Sequence, residues 1–360
     1  MLDETILKRE EKAVFALRSL YRQYGYAPYK MSKFEDYEYY IRNKDFLVSD
    51  RIITFNDTNG RLLALKPDVT LSIIKNGEDT PGCKQKVYYN ENVYRVSESA
   101  GQYKEILQAG LECIGDIDTY DIFEAVFLAA QSLSLISEDF VLQVSHLGIL
   151  SKALDMTCPN KAFQQQAVEY IAQKNTHDLS RLCKKYGAED TLLMNLVAAY
   201  GNRRKVLSQL EELGCSDPSL KELSDLLDAT RWADKIIFDF SLVNNRSYYN
   251  GIVFRGFLSG ISESVLAGGQ YDKLMQKLER RSGAIGFALY LDLLENLPTE
   301  KSGYDVDTLL IYEADTPKTA VMLTVSRLTF EGKTVTAQKN IPPKLRYRQL
   351  LRLNEEGKLC

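Results

Sequence analysis

Residues 105–115 constrain the fold more than any other part of the chain, because two kinds of side chain alternate along them. The odd-numbered positions are apolar: Leu107, Ala109, Leu111 and Cys113. The even-numbered positions between them are polar or small: Gln108, Gly110 and Glu112. Successive side chains of a β-strand point to opposite faces, so the pattern predicts a strand with one face in an apolar core. Its polar face either meets solvent or holds a ligand that lies on the backbone at the glycine.

The length and charge of the chain limit the classes of protein that it can belong to. At 360 residues it is longer than one hydrophobic core normally supports, which predicts two or three folding units. A net charge of -4 argues against a surface built for nucleic acid. No apolar run reaches the roughly 20 residues that span a bilayer, and the N-terminal residues lack the apolar core of a secretion signal. We therefore expect a cytoplasmic protein without a membrane segment.

Cysteines and histidines are few and scattered. The 6 cysteines include no C-x-x-C pair, so neither a disulfide framework nor a zinc cluster is predicted, and no metal site is expected. His146 and His177 are the only 2 histidines, and neither has a carboxylate or cysteine at ligand spacing. We therefore expect structural or surface roles for both.

The order of elements predicts an α+β fold. An amphipathic helix opens the chain, and short strands with turn-like links follow it. A stretch from residue 160 to about residue 230 reads as an inserted helical subdomain. Strands then return, and the segment AIGFALYLDLLENL is predicted to be a helix. Strands followed by helices favour α+β over a doubly wound parallel fold.

The C-terminal residues predict a small α/β piece. Beyond Pro298 the order strand, helix, strand is expected, with PPKLRYRQLLRL as a further basic helix. This basic segment is interpreted either as a solvated amphipathic helix or as a patch for nucleic acid. No repeat or low-complexity segment is visible.

Two further segments offer ligand contacts. In LVNNRSYYNGIVF the adjacent Tyr248 and Tyr249 fall on opposite faces of a strand, so one phenol is expected in the core and the other at a ligand. In AGGQYD the paired glycines predict a tight turn before a helix, which either is a plain turn or presents backbone N–H groups to a small ligand.

Six segments occur in the same order and at similar spacing as the signature blocks of the histidyl-tRNA synthetase family of class II synthetases: LLALKPDVT, VYYNENVYRV, EILQAGLECIG, LVNNRSYYNGIVF, LAGGQYD and GAIGFALYLDLL. The resemblance covers residues 4–297. It implies a class II synthetase-like antiparallel sheet flanked by helices in residues 1–300, with a helical insertion at about 158–230. Residues 304–360 resemble a partial anticodon-binding α/β segment.

The resemblance also implies a histidine-binding pocket. Asp68 matches the family's glutamate for the amino group, although it is one methylene shorter, and Arg95 matches the arginine of motif 2. The complete set of matching positions is Asp68, Thr70, Arg95, Gln108, Glu112, Tyr248, Tyr249 and Tyr271. This match favours a ligand over solvent on the polar face of residues 105–115.

Departures from the family pattern fall at positions that serve adenylation. Asn244 stands where the family has its signature arginine, although Arg246 follows on the same strand face. Leu293 stands where motif 3 has the arginine that clamps ATP phosphates, and Ser97 replaces a glutamate of the motif 2 loop. The resemblance thus implies a retained amino-acid pocket and a disabled nucleotide site.

This combination resembles the paralogous family of ATP phosphoribosyltransferase regulatory subunits. The resemblance implies a protein without catalytic activity or cofactor that assembles with the short catalytic subunit in the first step of histidine biosynthesis. It further implies L-histidine as the feedback effector, self-association as a dimer, and a hetero-octamer with the partner. Two alternatives remain: a divergent histidyl-tRNA synthetase, in which Arg246 replaces the lost arginine, and a tRNA-binding or sensor module.

Overall fold

A computed structural model describes residues 7–43, 52–77, 80, 82–96, 102–243, 249–297 and 303–360. The chain divides into two compact units, Met1–Leu297 and Pro298–Cys360. In the described residues, none of the helices is both long and apolar enough to cross a membrane.

The first unit combines a large sheet with helices. Its helices are α1 (Arg9–Gln23), α2 (Tyr37–Arg42), α3 (Thr70–Asn76), α4 (Thr119–Ser134), α5 (Leu147–Thr157), α6 (Lys161–Ala172), α7 (Thr176–Tyr186), α8 (Thr191–Ala198), α9 (Arg203–Glu212), α10 (Pro218–Asp228) and α11 (Asp272–Lys277). Its strands are β1 (Ala27–Pro28), β2 (Phe34–Asp36), β3 (Thr54–Asn56), β4 (Leu62–Leu65), β5 (Gln85–Val96), β6 (Tyr103–Gly115), β7 (Phe140–His146), β8 (Tyr200–Gly201), β9 (Ile236–Asp239), β10 (Ile252–Leu258), β11 (Leu266–Gln270) and β12 (Gly283–Tyr290).

The large sheet has the strand order β1-β5-β6-β12-β11-β10-β7-β9-β8 within the described part of the chain. The pairs from β5 across to β7 are antiparallel, and the pairs β1 with β5 and β7 with β9 are parallel. Strands β2, β4 and β3 form a separate antiparallel sheet. The predicted α+β class with an antiparallel sheet is confirmed.

The two faces of β6 are buried against different helices. Its odd-numbered residues, including Ala109 and Leu111, lie in a core with Leu17 of α1 and Ala129 of α4. The opposite face of the sheet carries a second core, which contains Leu71 of α3 together with residues of β5 and α11. Because both faces are covered, Gln108, Gly110 and Glu112 are buried rather than in open solvent.

Polar caps position the helices of the predicted insertion. Helices α6, α7, α9 and α10 each begin after a residue whose side-chain oxygen accepts hydrogen bonds from the first turn: Asn160, Asn175, Asn202 and Asp217. Such caps satisfy N–H groups that have no partner inside the helix. The helices predicted for residues 160–230 are therefore present, and their apolar faces join the core of the first unit.

The second unit contains β13 (Val306–Tyr312), α12 (Lys318–Phe330), β14 (Val335–Gln338) and β15 (Tyr347–Leu353). Its strands form a parallel sheet in the order β14-β13-β15. The predicted basic helix is wrong, because most of that segment is strand β15. Leu351 of β15 pairs with Leu310 of β13, and Leu353 packs against Leu310, so the tertiary pairing outweighs the local helical pattern.

Two other predictions about secondary structure are wrong. The first half of the segment predicted as the helix AIGFALYLDLLENL is strand β12, and a short 3-10 helix, Leu291–Asn296, follows it. The paired glycines of AGGQYD lie inside strand β11 rather than in a turn, although helix α11 does follow them. A Cβ atom at Gly268 would overlap Phe287 of the neighbouring strand, so this site requires glycine for close packing of the sheet.

Candidate functional site

A pocket lies on the α3 face of the sheet, over strands β5, β6, β12 and β11. Its empty volume is about 480 Å³, part of which is the opening to solvent. The residues that line it are Asp68, Thr70, Tyr89, Arg95, Gln108, Glu112, Tyr249, Ala267, Tyr271, Gly286, Phe287, Ala288 and Tyr290.

The floor of the pocket is made of small residues on three adjacent strands. Gly110 of β6 lies opposite Ala288 of β12, and Ala288 lies opposite Ala267 of β11. Gly286 lies two residues before Ala288 in β12 and is opposite Glu112 of β6. A Cβ at Gly110 would come within 2.5 Å of the Tyr89 hydroxyl, so this position requires glycine. Tyr89 therefore covers the strand at Gly110, and a ligand can approach the sheet backbone at Ala267 and Ala288, which line the pocket.

Glu112 is the central acceptor of the pocket. Its Oε1 accepts a hydrogen bond of 2.6 Å from the Thr70 hydroxyl, and its Oε2 accepts one of 2.5 Å from the Tyr271 hydroxyl. Burial raises the pKa of Glu112 to about 8, although the bonds from Thr70 and Tyr271 lower it; the nearby Asp68 raises it further. The pocket therefore holds a carboxyl group that changes charge near neutral pH.

Asp68 and Arg95 lie on the loop side of the pocket. Asp68 accepts a hydrogen bond of 2.9 Å at Oδ1 from the backbone N–H of Leu71 and so fixes the first turn of α3. Burial raises the pKa of Asp68, while the Leu71 N–H and the charge of Arg95 oppose the rise. Arg95 donates from Nε to the Pro67 carbonyl at 3.1 Å. The guanidinium is thus anchored beside the carboxyl group.

Tyrosine rings form the walls. Tyr271 is buried and bound to Glu112, while Tyr249 lines the pocket from the segment before β10. Burial raises the pKa of both Tyr89 and Tyr249 well above the ordinary tyrosine value, so both phenols are neutral donors at physiological pH. Aromatic walls with a few polar groups suit a small ring that carries N–H groups.

The structure brings seven of the eight predicted site residues together around this pocket: Asp68, Thr70, Arg95, Gln108, Glu112, Tyr249 and Tyr271. Their role in binding histidine stays a prediction. Tyr248, Asn244, Arg246 and Ser97 lie outside the described residues.

Sequence reasoning missed Tyr89 and Tyr290, which also line the pocket. Tyr89 lies opposite Gly110, and Tyr290 lies opposite Gln108. The register of β6 with its two neighbours is the signal that identifies them, because residues directly opposite in an antiparallel pair share a face. A single sequence does not specify that register.

Leu293 lines a second, adjoining pocket. Arg95 and Tyr290 border both pockets, and the second also contains Lys104 and Asp292. Leu293 packs against the main core of the first unit. Burial raises the pKa of Asp292. The second pocket is therefore lined by basic, acidic and apolar side chains together.

His146 has a structural contact. Its Nδ1 accepts a hydrogen bond of 3.2 Å from the N–H of Ile149 and caps α5. Burial lowers the pKa of this imidazole and so favours the neutral form, which can accept that bond. In the described residues, no group of histidine, cysteine and acidic side chains is arranged to hold a metal ion.

The sheet order, the helices on both faces and the pocket over β5, β6, β12 and β11 define a class II synthetase-like α+β protein. The family model described as histidyl-tRNA synthetase matches residues 2–294. The chain belongs to this family.

One relative is the ATP phosphoribosyltransferase regulatory subunit of Oceanobacillus iheyensis. It is 27% identical over 350 residues, which cover 93% of this chain and 85% of the relative. An ATP phosphoribosyltransferase regulatory subunit of Bacillus thuringiensis is 26% identical over 318 residues, covering 82% of this chain and 75% of that relative.

Solved structures share the fold. A protein from Bacillus halodurans, described as an ATP phosphoribosyltransferase regulatory subunit/histidyl-tRNA synthetase, superposes with a TM-score of 0.74 at 21% identity, covering 96% of this chain and 94% of that chain. A chain of the ATP phosphoribosyl transferase (HisG:HisZ) complex from Thermotoga maritima gives a TM-score of 0.62 at 20% identity, covering 81% of this chain and 97% of that chain.

Proposed function

We propose that this chain is a regulatory subunit of ATP phosphoribosyltransferase without catalytic activity of its own. It assembles with the short catalytic subunit, supports the first step of histidine biosynthesis and conveys feedback inhibition by L-histidine. The family, the names of the chain's relatives and the composition of the pocket support this proposal. The single observation that carries it is the contrast between the seven predicted site residues that gather around Glu112 and the apolar Leu293 in the space beside them.

The pocket chemistry suits histidine. Glu112 accepts an N–H of the imidazole ring, and the neighbouring Tyr249 and Tyr271 pack around that ring. Asp68 pairs with the ammonium group, and Gln108 offers an amide to the carboxylate end. All five residues line the same cavity. Charge-assisted hydrogen bonds of this kind contribute about 1.5–3 kcal/mol each.

Leu293 argues against histidine activation. The resemblance places an arginine for the ATP phosphates at this position, and a leucine cannot stabilise developing negative charge. Loss of one charged transition-state contact costs about 10²–10³ in rate. The pocket is therefore proposed to sense an amino acid rather than to adenylate it.

Inhibition requires that histidine bind one arrangement of the assembly better than another. The ratio of the two affinities sets the upper limit of the effect. We propose that the chain self-associates as a dimer and forms a hetero-octamer with the catalytic subunit, as the resemblance implies.

The proposal is tested by mixing the purified chain with a short ATP phosphoribosyltransferase subunit and measuring phosphoribosyl-ATP formation with and without L-histidine. The expected result is that the chain raises the rate and that histidine lowers it only when the chain is present. A catalytic subunit that is equally active and equally inhibited alone would overturn the proposal.

A second candidate function is a divergent histidyl-tRNA synthetase, which the match to that family's model favours. Histidine-dependent exchange of pyrophosphate into ATP separates the two functions. We expect no exchange above background. Robust exchange by the purified chain would replace the regulatory proposal with the synthetase.

A further inference from the structure

Arg255 lies on the same sheet face as the floor of the pocket. In β10 it is directly opposite Ala267 of β11, and Ala267 is opposite Ala288 of β12, which is opposite Gly110 of β6. Opposite residues in antiparallel strands project from the same face. One row of the sheet therefore runs from Gly110 to Arg255.

The row forms a trough with a cation at one end. Tyr89 of β5 lies opposite Gly110 and closes the other end. The three residues between Tyr89 and Arg255 have no side chain longer than a methyl group. Neighbouring strands are about 4.8 Å apart. The backbone of Arg255 is therefore about one strand spacing from that of Ala267, which lines the pocket. Its side chain can reach over the alanines without obstruction by side chains within the row.

Arg255 also interacts with two walls of the pocket. It is half-buried, and its charge acts on the hydroxyl groups of Tyr249 and Tyr290, which both line the cavity. Burial lowers the pKa of this arginine, yet a guanidinium stays charged at physiological pH. A positive charge therefore lies beside the pocket, next to its β11 edge.

Arg95, the arginine that lines the pocket, serves the opposite side. Arg95 donates to the Pro67 carbonyl, and its charge acts on Asp68. Glu112 adds a second acidic group to the lining. A zwitterionic ligand whose ammonium group meets Asp68 would therefore be stabilised by a second cation on the side away from Asp68.

We propose that Arg255 binds the carboxylate of the amino-acid ligand across the trough formed by Ala267 and Ala288. This inference rests on the proposed function of the pocket and adds a residue that sets its specificity. The guanidinium fork selects ligands with a free carboxylate over analogues that lack it. The imidazole of the same ligand points toward Glu112.

The test measures binding of L-histidine and L-histidinol to the full chain by calorimetry, in wild type, Arg255→Gln and Arg255→Lys. Histidinol keeps the imidazole and the ammonium group but has no carboxylate. Wild type is expected to prefer histidine, and Arg255→Gln is expected to lose about 10- to 100-fold in histidine affinity. Histidinol should be affected far less, and the lysine variant should restore part of the preference.

The exposed Arg22→Gln on α1 is the matched control. Thermal unfolding checks that each variant is folded. A wild type that binds both ligands equally, or an Arg255→Gln variant that keeps the histidine preference or loses both ligands in parallel, overturns the role of Arg255. In each of these cases wild type still binds histidine and the pocket assignment stands. Failure of the folded wild type to bind histidine at all overturns the pocket assignment together with this inference.

Discussion

Gly286 lies directly opposite Glu112 in the large sheet, and a Cβ atom at Gly286 would overlap the Oε2 of that carboxyl group. The same Oε2 accepts the hydrogen bond from Tyr271. The position of the central acceptor in the pocket therefore depends on the absence of a side chain on the neighbouring strand.

Substitution of Gly286 by alanine is expected to displace Glu112 and break its bond with Tyr271. Forcing one extra carbon into a packed site costs about 1–3 kcal/mol of unfolding free energy. Histidine affinity should fall as well, because the acceptor moves. Calorimetry and urea unfolding measure the two effects. Gly303→Ala is the control, since no atom lies within 4 Å of its added Cβ. Unchanged histidine binding by Gly286→Ala would contradict the pocket geometry.

The stability of the protein is expected to depend on pH through Glu112. Its pKa is about 8 in the folded chain, against an ordinary value of 4.5. Between these values the folded state holds a proton that the unfolded state has released, so stability is lost as pH rises. The loss from one such group is about 1.4 kcal/mol per pH unit, and it ends above the folded pKa.

Glu112→Gln removes this titration. Relative to wild type, the variant should gain unfolding free energy as the pH is raised from 5.5 to about 8. Urea unfolding at several pH values measures the gap, with the exposed Glu355→Gln as a control. Asp68 has a raised pKa too, so the profile of the variant keeps part of the slope. A gap that stays constant with pH would show that Glu112 does not hold its proton.

Feedback inhibition is expected to separate from assembly. Glu112→Ala removes the central hydrogen-bond acceptor of the pocket and Arg95→Ala removes its guanidinium, and each loss corresponds to about a 10- to 100-fold rise in the histidine concentration needed for inhibition. Both variants should still form the complex with the catalytic subunit. Inhibition curves and gel filtration measure the two properties. If both variants are inhibited like wild type, histidine does not act through this pocket.

Lys66 and Glu91 form a buried ion pair beside the site. The lysine side chain is 0% exposed and the glutamate 16%. Removal of one partner leaves an uncompensated charge in the interior, so Glu91→Gln is expected to cost about 3–5 kcal/mol of unfolding free energy. The double variant Lys66→Met, Glu91→Leu should lose less, because no charge remains buried.

The matched control for this pair is Glu38→Gln, which breaks an exposed pair with Arg42 and should cost no more than about 0.5 kcal/mol. Urea unfolding compares all of these variants. A cost for Glu91→Gln as small as that of the control would contradict the role of Glu91 in compensating a buried charge.

The side of the sheet that holds the pocket could be predicted from one strand. In β6 the alternation of residues predicts that Gln108 and Glu112 share a face, and both line the cavity. Strand β12 could not be recognised in the same way. It is buried on both faces, so its apolar residues run together and resemble a helix.

Other parts of the site depend on contacts between distant segments. Tyr89 and Tyr290 reach the pocket through the registers of three strands, and these registers come from packing rather than from local preference. The formation of strand β15 also depends on packing, since Leu353 is buried in the core of the second unit. Local patterns predict which side chains share a face, but not which strands become neighbours.

The bond between Tyr271 and Glu112 joins positions 159 residues apart. During translation the β5–β6 hairpin leaves the ribosome long before Tyr271 does, and the helical insertion is made in between. The binding site is thus completed only near the end of synthesis of the first unit. A ligand of this pocket cannot guide the early nascent chain, and it would stabilise only molecules that have already folded.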